Sequence, residues 1–530
     1  MPSSTAPPPA AAPPAAGARG SANVIVAVLA FSGIVTALMQ TLVVPLLVQL
    51  PVLLDTTSAN ASWVVTATLL AAAVAMPTTS RLGDMFGKRR IIFVNLGLLI
   101  AGSLVCALSD SVVPVVAGRA LQGFGMGLIP LGIGVMRDVM PPDRVASSMA
   151  LMSASLGIGG ALGLPAAALV AQNFDWHVLF YASAALAALA LVLIAVFVPE
   201  SPVRSPGRFD LTGSIGIGIG LVCLLLALSK GADWGWGSGS TLGLFAAGVL
   251  VLALWGWYEL RTPEPLVDLR TTARPEVLFT NLAALVIGFA MYAMSLIAPQ
   301  LLQLPEETGY GLGQSMVAAG LIMAPGGLMM MVFSPLSAII TTSRGPKTSL
   351  ILGSVVIAAG YGLGLVMVHE VWQVIVFTCV VTSGIAIAYA AMPTLIMGAV
   401  PQSETAAANG LNALMRSIGT STAGAAIGVV LANSTTTFGT AEVPSLTGFR
   451  TGFAIACGAA VLAAVLAALI PGTRPHGGAA VPAAEAGTGT AAARTGSADG
   501  AAGDDGADGD DGADRAAGDD RPRTASRTAG

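Results

Sequence analysis

Between residues 22 and 471 the chain is a succession of fourteen apolar runs, divided by short stretches of charge, proline or glycine. They fall near residues 24–48, 61–80, 91–109, 113–136, 147–171, 177–198, 211–229, 241–260, 277–300, 313–341, 348–367, 371–399, 405–431 and 451–470. About 20 mainly apolar residues carry a helix across hydrocarbon, so each run is long enough to span. As helices of a soluble protein they would need a polar outer layer from the rest of the sequence, and none exists. Only 10% of residues are charged, under half of the roughly 25% found in soluble domains. Residues 474–530 take 16 of those 52 charges, leaving 18 acids and 18 bases for the first 473 residues. The chain therefore reads as an all-α integral membrane protein. A soluble enzyme, a secreted disulfide scaffold and a nucleic-acid binder are excluded, the last for want of a basic surface.

Orientation follows from lysine and arginine. With the N-terminus inside, fourteen bases before the tail lie on cytoplasmic segments, from Arg19 to Lys347, and only Lys230 and Arg450 lie outside. Both termini are thus expected in the cytoplasm, with the chain multi-pass in the cell membrane. Cys106, Cys223, Cys379 and Cys457 each stand alone in an apolar run, and His177, His369 and His476 lie in loops or the tail. No metal or cofactor is expected from them.

The second and tenth runs are each followed by a short basic turn. The first reads Ser80-Arg81-Leu82-Gly83-Asp84-Met85-Phe86-Gly87-Lys88-Arg89-Arg90, and the second Ala338-Ile339-Ile340-Thr341-Thr342-Ser343-Arg344-Gly345-Pro346-Lys347. Aligning Gly87 with Gly345 puts Thr342 where Asp84 stands. Two related six-span bundles with the seventh and eighth spans as an inserted hairpin explain that spacing, and such repeats are typical of secondary transporters. The expected divisions are a disordered extension at 1–21, a bundle at 22–199, an inserted helix pair at 200–270, a second bundle at 271–472 and a disordered Ala/Gly/Asp-rich tail at 473–530. In the first turn, Gly83 and Gly87 at its two ends permit positive φ. Lys88, Arg89 and Arg90 hold it at the anionic inner face. Asp84, the only acid there, can cap the N-terminus of a neighbouring helix.

This turn resembles the loop between spans two and three of the major facilitator superfamily, and the span count narrows the likeness to its fourteen-span drug:proton antiporters. In span four, Arg119, Gln122, Gly123 and Gly125 match that family's Arg-x-x-Gln-Gly-x-Gly pattern. In span five, Gly159, Gly160, Gly163 and Pro165 fall near its Gly-x-x-x-Gly-Pro-x-x-Gly-Gly motif. The resemblance implies a major facilitator fold, two six-helix bundles plus an inserted helix pair, rocking about a central cavity. It also implies that Asp84 docks on the start of span eleven and steadies the outward-facing state. Three departures stand out: Ser80 where a glycine normally opens the loop motif, a proline displaced by one in span five, and Met39 where many relatives carry an aspartate tied to proton coupling.

Arg119 and Arg416 are the ionisable residues placed well inside the hydrocarbon, where each costs at least about 2.5–3.5 kcal/mol on insertion scales. Each is expected to face the cavity or a partner; for Arg119 a buried tie to carbonyls is the alternative. Gln40, Gln122, Asn281, Tyr292 and Asn412 are further cavity candidates, since each is unfavourable in lipid without a partner. The methionines at 323 and 329–331 either furnish an adaptable ligand surface or are packed. The expected function is export of amphipathic or apolar small molecules by proton antiport, with a small-molecule substrate, protons and the bilayer as partners, no nucleic acid, and a monomeric chain. An importer or lipid translocator of the same fold, and a non-transporting sensor or scaffold, remain open alternatives. No nucleophile–base pair lies at membrane depth, so no enzyme is expected.

Overall fold

The computed structural model describes residues 18–471 apart from 44, 45, 47, 48, 206, 439 and 440. Residues 1–17 of the expected extension, and the tail expected at 473–530, lie outside the described residues.

Fourteen helices among the described residues are long and apolar enough to span a membrane. They are α1 (Ala18–Thr41), α2 (Trp63–Phe86), α3 (Lys88–Ala107), α4 (Val112–Val139), α5 (Pro142–Asn173), α6 (His177–Phe197) and α7 (Leu211–Trp234), followed by α8 (Gly239–Glu259), α9 (Pro275–Gln303), α10 (Met316–Arg344), α11 (Pro346–Gly364), α12 (Val371–Ala399), α13 (Thr405–Asn433) and α14 (Leu446–Leu469). The count matches the sequence expectation, and the first span is the largest boundary error. Helix α1 begins inside the stretch expected to be disordered and ends at Thr41, with a separate one-turn helix at Leu50–Leu53. An unexpected antiparallel hairpin, Thr435–Phe438 paired with Ala441–Pro444, joins α13 to α14.

Local chemistry sets the ends. Pro142, Pro275 and Pro346 open α5, α9 and α11, a position where the missing N–H has no helical partner to lose. Asp210, Ser238, Ser315 and Ser445 cap α7, α8, α10 and α14 with side-chain oxygens, each satisfying an amide that the helix leaves orphaned.

One apolar core joins residues of α1 to α6, among them Leu29, Leu96, Leu131 and Ala187. A second joins α9 to α14, among them Ile287, Leu350, Phe377 and Phe453. The two meet where α2 packs on α13 and α5 on α10. Helix α7 lies against that first seam through Leu70, Ile217, Leu221 and Leu414. Helix α8 packs chiefly on α7, and only 11% of its most apolar 18-residue stretch is buried against 72% of that of α12. The α7–α8 pair is therefore peripheral.

Candidate functional site

The basic turn is barely a turn. Helix α2 runs on to Phe86, α3 starts at Lys88, and Gly87 alone joins them with φ 111°. That corrects the expected loop at 81–90, and it also changes the part Gly83 plays. Gly83 is helical, and a side chain there would run into Leu131 of α4, so it provides close approach rather than positive φ. The second copy has the same build: α10 ends at Arg344, α11 starts at Pro346, and Gly345 between them has φ 87°. Thr342 bonds only its own helix, to the Ala338 and Ile339 carbonyls.

Extending the helix turns Asp84 inward. Asp84, Lys88 and Asp138 form a fully buried chain, with Lys88 Nζ 3.1 Å from Asp84 Oδ1 and 2.8 Å from Asp138 Oδ2. The lysine stem lies over Gly134, where a Cβ would stand 2.8 Å from Lys88 Cε. The other Asp84 oxygen, Oδ2, accepts the Ala407 N–H at 2.8 Å, in the first turn of α13. The helix that Asp84 docks on is thus the thirteenth in this chain rather than span eleven, because α7 and α8 precede it. A carboxylate at a helix start meets the positive end of the macrodipole and an orphaned amide.

Arg137 makes the complementary contact. Its guanidinium donates to the Met397 carbonyl at 3.1 Å and the Val400 carbonyl at 3.4 Å, at the closing end of α12, and to Thr405 Oγ1. A cation at a C-terminus and an anion at an N-terminus hold α12 and α13 against the first half. From the sequence, Asp84 and Asp138, the latter next to Arg137, stand among the acids at cytoplasmic helix ends; the contact of Arg137 with α12 and the part of Gly134 are visible only in the structure. Arg89 donates to the Ala195 carbonyl at 2.5 Å, at the end of α6, while Arg90 is exposed.

Ser80 is fully buried, and Gly410 of α13 faces it: a Cβ at 410 would stand 2.5 Å from Ser80 Oγ and 2.9 Å from the Met76 carbonyl. The glycine missing from α2 is matched by one on the facing helix, which keeps the seam close.

Deeper, Arg119 is 1% exposed. It donates through Nη1 to the Met39 carbonyl at 2.9 Å and to Gln122 Oε1 at 2.7 Å, and through Nε to the Val64 carbonyl at 3.2 Å. Gln122 in turn donates to Ser103 Oγ at 2.7 Å. The guanidinium thus ties α1, α2 and α4 through backbone, and residue 39, without an acid side chain, meets it with a carbonyl. Gly123 lets α4 approach α2, its Cβ position 2.5 Å from the Thr68 carbonyl. Gln40 reaches Met126 Sδ at 3.4 Å.

A second polar group joins α9, α12 and α13. Arg416 donates to Asn412 Oδ1 at 3.3 Å and lies 5.0 Å over the Tyr389 ring, and Asn412 donates to Asn281 Oδ1 at 3.0 Å. Tyr292 is near Gly424, whose Cβ position is 3.3 Å from the ring. The span-five residues form seams: Gly159 faces the Ile34 carbonyl, Gly163 faces Thr41, and Gly320 of α10 faces Pro165. Met330 sits on Gly157, which places that methionine in packing.

Fourteen spans, two helical cores meeting at paired seams, and an arginine at membrane depth within each half define a multi-pass membrane transporter. The family model described as Major Facilitator Superfamily matches residues 29–424, and the chain belongs to that superfamily. Over 373 residues it is 26% identical to "Multidrug resistance protein Stp" of Mycobacterium tuberculosis, covering 70% of this chain and 68% of that one. Over 387 residues it is 28% identical to "Tetracenomycin C resistance and export protein" of Streptomyces glaucescens, covering 71% and 69%. The solved structure of the proton:xylose symporter XylE covers 84% of this chain and 95% of its own at TM-score 0.59 and 14% identity. That of the human organic anion transporter MFSD10 covers 84% and 99% at TM-score 0.61 and 15% identity. These two likenesses concern the fold.

Proposed function

We propose that the chain exports amphipathic or apolar small molecules from the cell by alternating access, with protons moving inward in exchange. The observation that supports this most is the double latch at the basic end, where Asp84 meets α13 and Arg137 meets α12. It is a contact between halves made of charges on helix ends, so it can break and re-form without disturbing either core. Its position among the fourteen bases assigned to cytoplasmic segments supports a cytoplasmic location for that end, and a structure latched there corresponds to an outward-facing or occluded state. Residues 22–199 and 271–472 are the two rocking bundles in this reading, and 200–270 is the peripheral pair. The names of the mycobacterial and streptomycete relatives support export of antibiotic-like molecules. Arg119 and Gln122 hold α1, α2 and α4 together while the bundle moves. Arg416, only partly buried, faces substrate together with Gln40 and Tyr292, positioned by Asn281 and Asn412.

Expression in a drug-sensitive host lacking its own pumps tests this directly. Loss of a fluorescent cationic or apolar dye from loaded cells is expected, and it should stop when a protonophore collapses the gradient. Efflux that persists rejects antiport while sparing transport. Accumulation in place of loss supports an importer. Unchanged dye content alongside abundant, folded protein rejects transport of that class.

A further inference from the structure

At the same basic end a cleft of about 520 Å³ opens between the starts of α1 and α5 and the second half of α10. Its polar lining is Asn23, Arg144, Ser147, Ser148 and Ser334. Arg144 donates one of its five N–H groups to Asn23 Oδ1 at 2.6 Å, which fixes the guanidinium against the cleft wall. It makes none of the ion pairs present among the described residues. Asp143, its neighbour in sequence, is exposed and not part of the lining. Ser148 and Ser334 are 4% and 1% exposed. Arg144 stands in the first turn of α5, where the positive end of that helix's macrodipole adds to its charge. Val26 and Leu151, both partly buried, add apolar surface to the wall.

A cation held by Asn23, buried hydroxyls, one helix start and apolar side chains on the wall form a receptor for one chemical class. We infer that this cleft binds an amphiphile with an anionic head, the head oxygens on Arg144 and the Ser148 and Ser334 hydroxyls and the chain along Val26 and Leu151. Basic pockets between helices at the inner face of a membrane hold lipid head groups in this way. Because α5 and α10 form a seam between the halves, an occupant touches both and favours the arrangement in which the cleft exists. Two sources offer this chemistry: an anionic phospholipid of the adjoining leaflet, or an acidic amphipathic solute.

The test uses the full chain in phosphatidylcholine nanodiscs carrying a trace of photoactivatable phosphatidylglycerol, with adducts mapped by mass spectrometry. Adducts are expected on the cleft segments of α1, α5 and α10. Arg144→Gln should lower their yield about fivefold, the factor one basic residue contributes at an anionic surface. Ser147→Trp, at an exposed lining position, should remove them by filling the cleft without disturbing the core. Arg344→Gln, an exposed base of α10 outside the lining, should leave them unchanged. Displacement by unlabelled phosphatidylglycerol but not by oleate assigns the lipid, and the reverse assigns the solute. Equal labelling by a phosphatidylcholine probe, or yields unaffected by both cleft variants, overturns the inference.

Discussion

Replacing Asp84 by asparagine takes one negative charge from a buried minus–plus–minus chain. Lys88 retains Asp138 at 2.8 Å, so no cation is stranded and the 3–5 kcal/mol penalty of breaking a buried pair outright does not arise. What goes is the charged part of the contact with Ala407. A hydrogen bond to a charged group is worth about 1.5–3 kcal/mol against about 1 for a neutral one, and the asparagine carbonyl still accepts. The macrodipole term, up to about 2 kcal/mol in partly buried geometries, overlaps with that difference rather than adding to it. A net loss of about 1–2 kcal/mol follows, which shifts the latched-to-open ratio by roughly 5- to 30-fold at 1.4 kcal/mol per decade. Spin labels at Phe86→Cys on α2 and Ser343→Cys on α10, both exposed, report the separation of the two halves at this end, once the four native cysteines are replaced. In Asp84→Asn the long-distance population should grow by that factor and transport should fall at normal abundance. Unchanged distances and normal turnover would refute the latch.

Arg119→Lys should lower the melting temperature in detergent and impair transport, because one ammonium cannot reproduce the planar guanidinium's fork onto two helix carbonyls and Gln122. Gly410→Ala should destabilise the chain less in a Ser80→Gly background than alone, since the 2.5 Å approach to Ser80 Oγ is then relieved; additive losses in a double-mutant cycle would reject the compensation. Gly87→Ala should cost about 1 kcal/mol or more at φ 111° from the left-handed backbone alone, read as a loss of thermal stability. The Asp268 carboxyl, raised by burial but lowered more by donors from Thr271 and Arg270, lies below its ordinary range. Its stabilising contribution is therefore present at neutral pH and lost as pH falls through the depressed value, and Asp268→Asn should flatten the acid limb of a pH–stability curve.

The spans were legible because lipid selects on hydropathy, a local and nearly additive property of about twenty consecutive residues. The basic end was legible for the same reason, since charges crowd where helices leave the membrane. The twofold echo at Gly87 and Gly345 also survived in the sequence, as a backbone requirement that few residues other than glycine meet. Pairings across the fold could not be read this way. Nothing near residue 84 names Ala407, 323 positions away, and nothing in span four says that Arg119 is met by the carbonyl of Met39 and not by an acid. Lys230, counted from sequence as an outer-loop base, is 2% exposed within α7, bonded to Ser62 and lying over the Trp63 ring. Such contacts depend on the rotation and register of each helix, which are fixed where small residues let backbones touch, as at Gly123, Gly159 and Gly410. The sequence by itself determined how often the chain crosses and where its charges gather; only packing decided which charged side chain closes on which helix end.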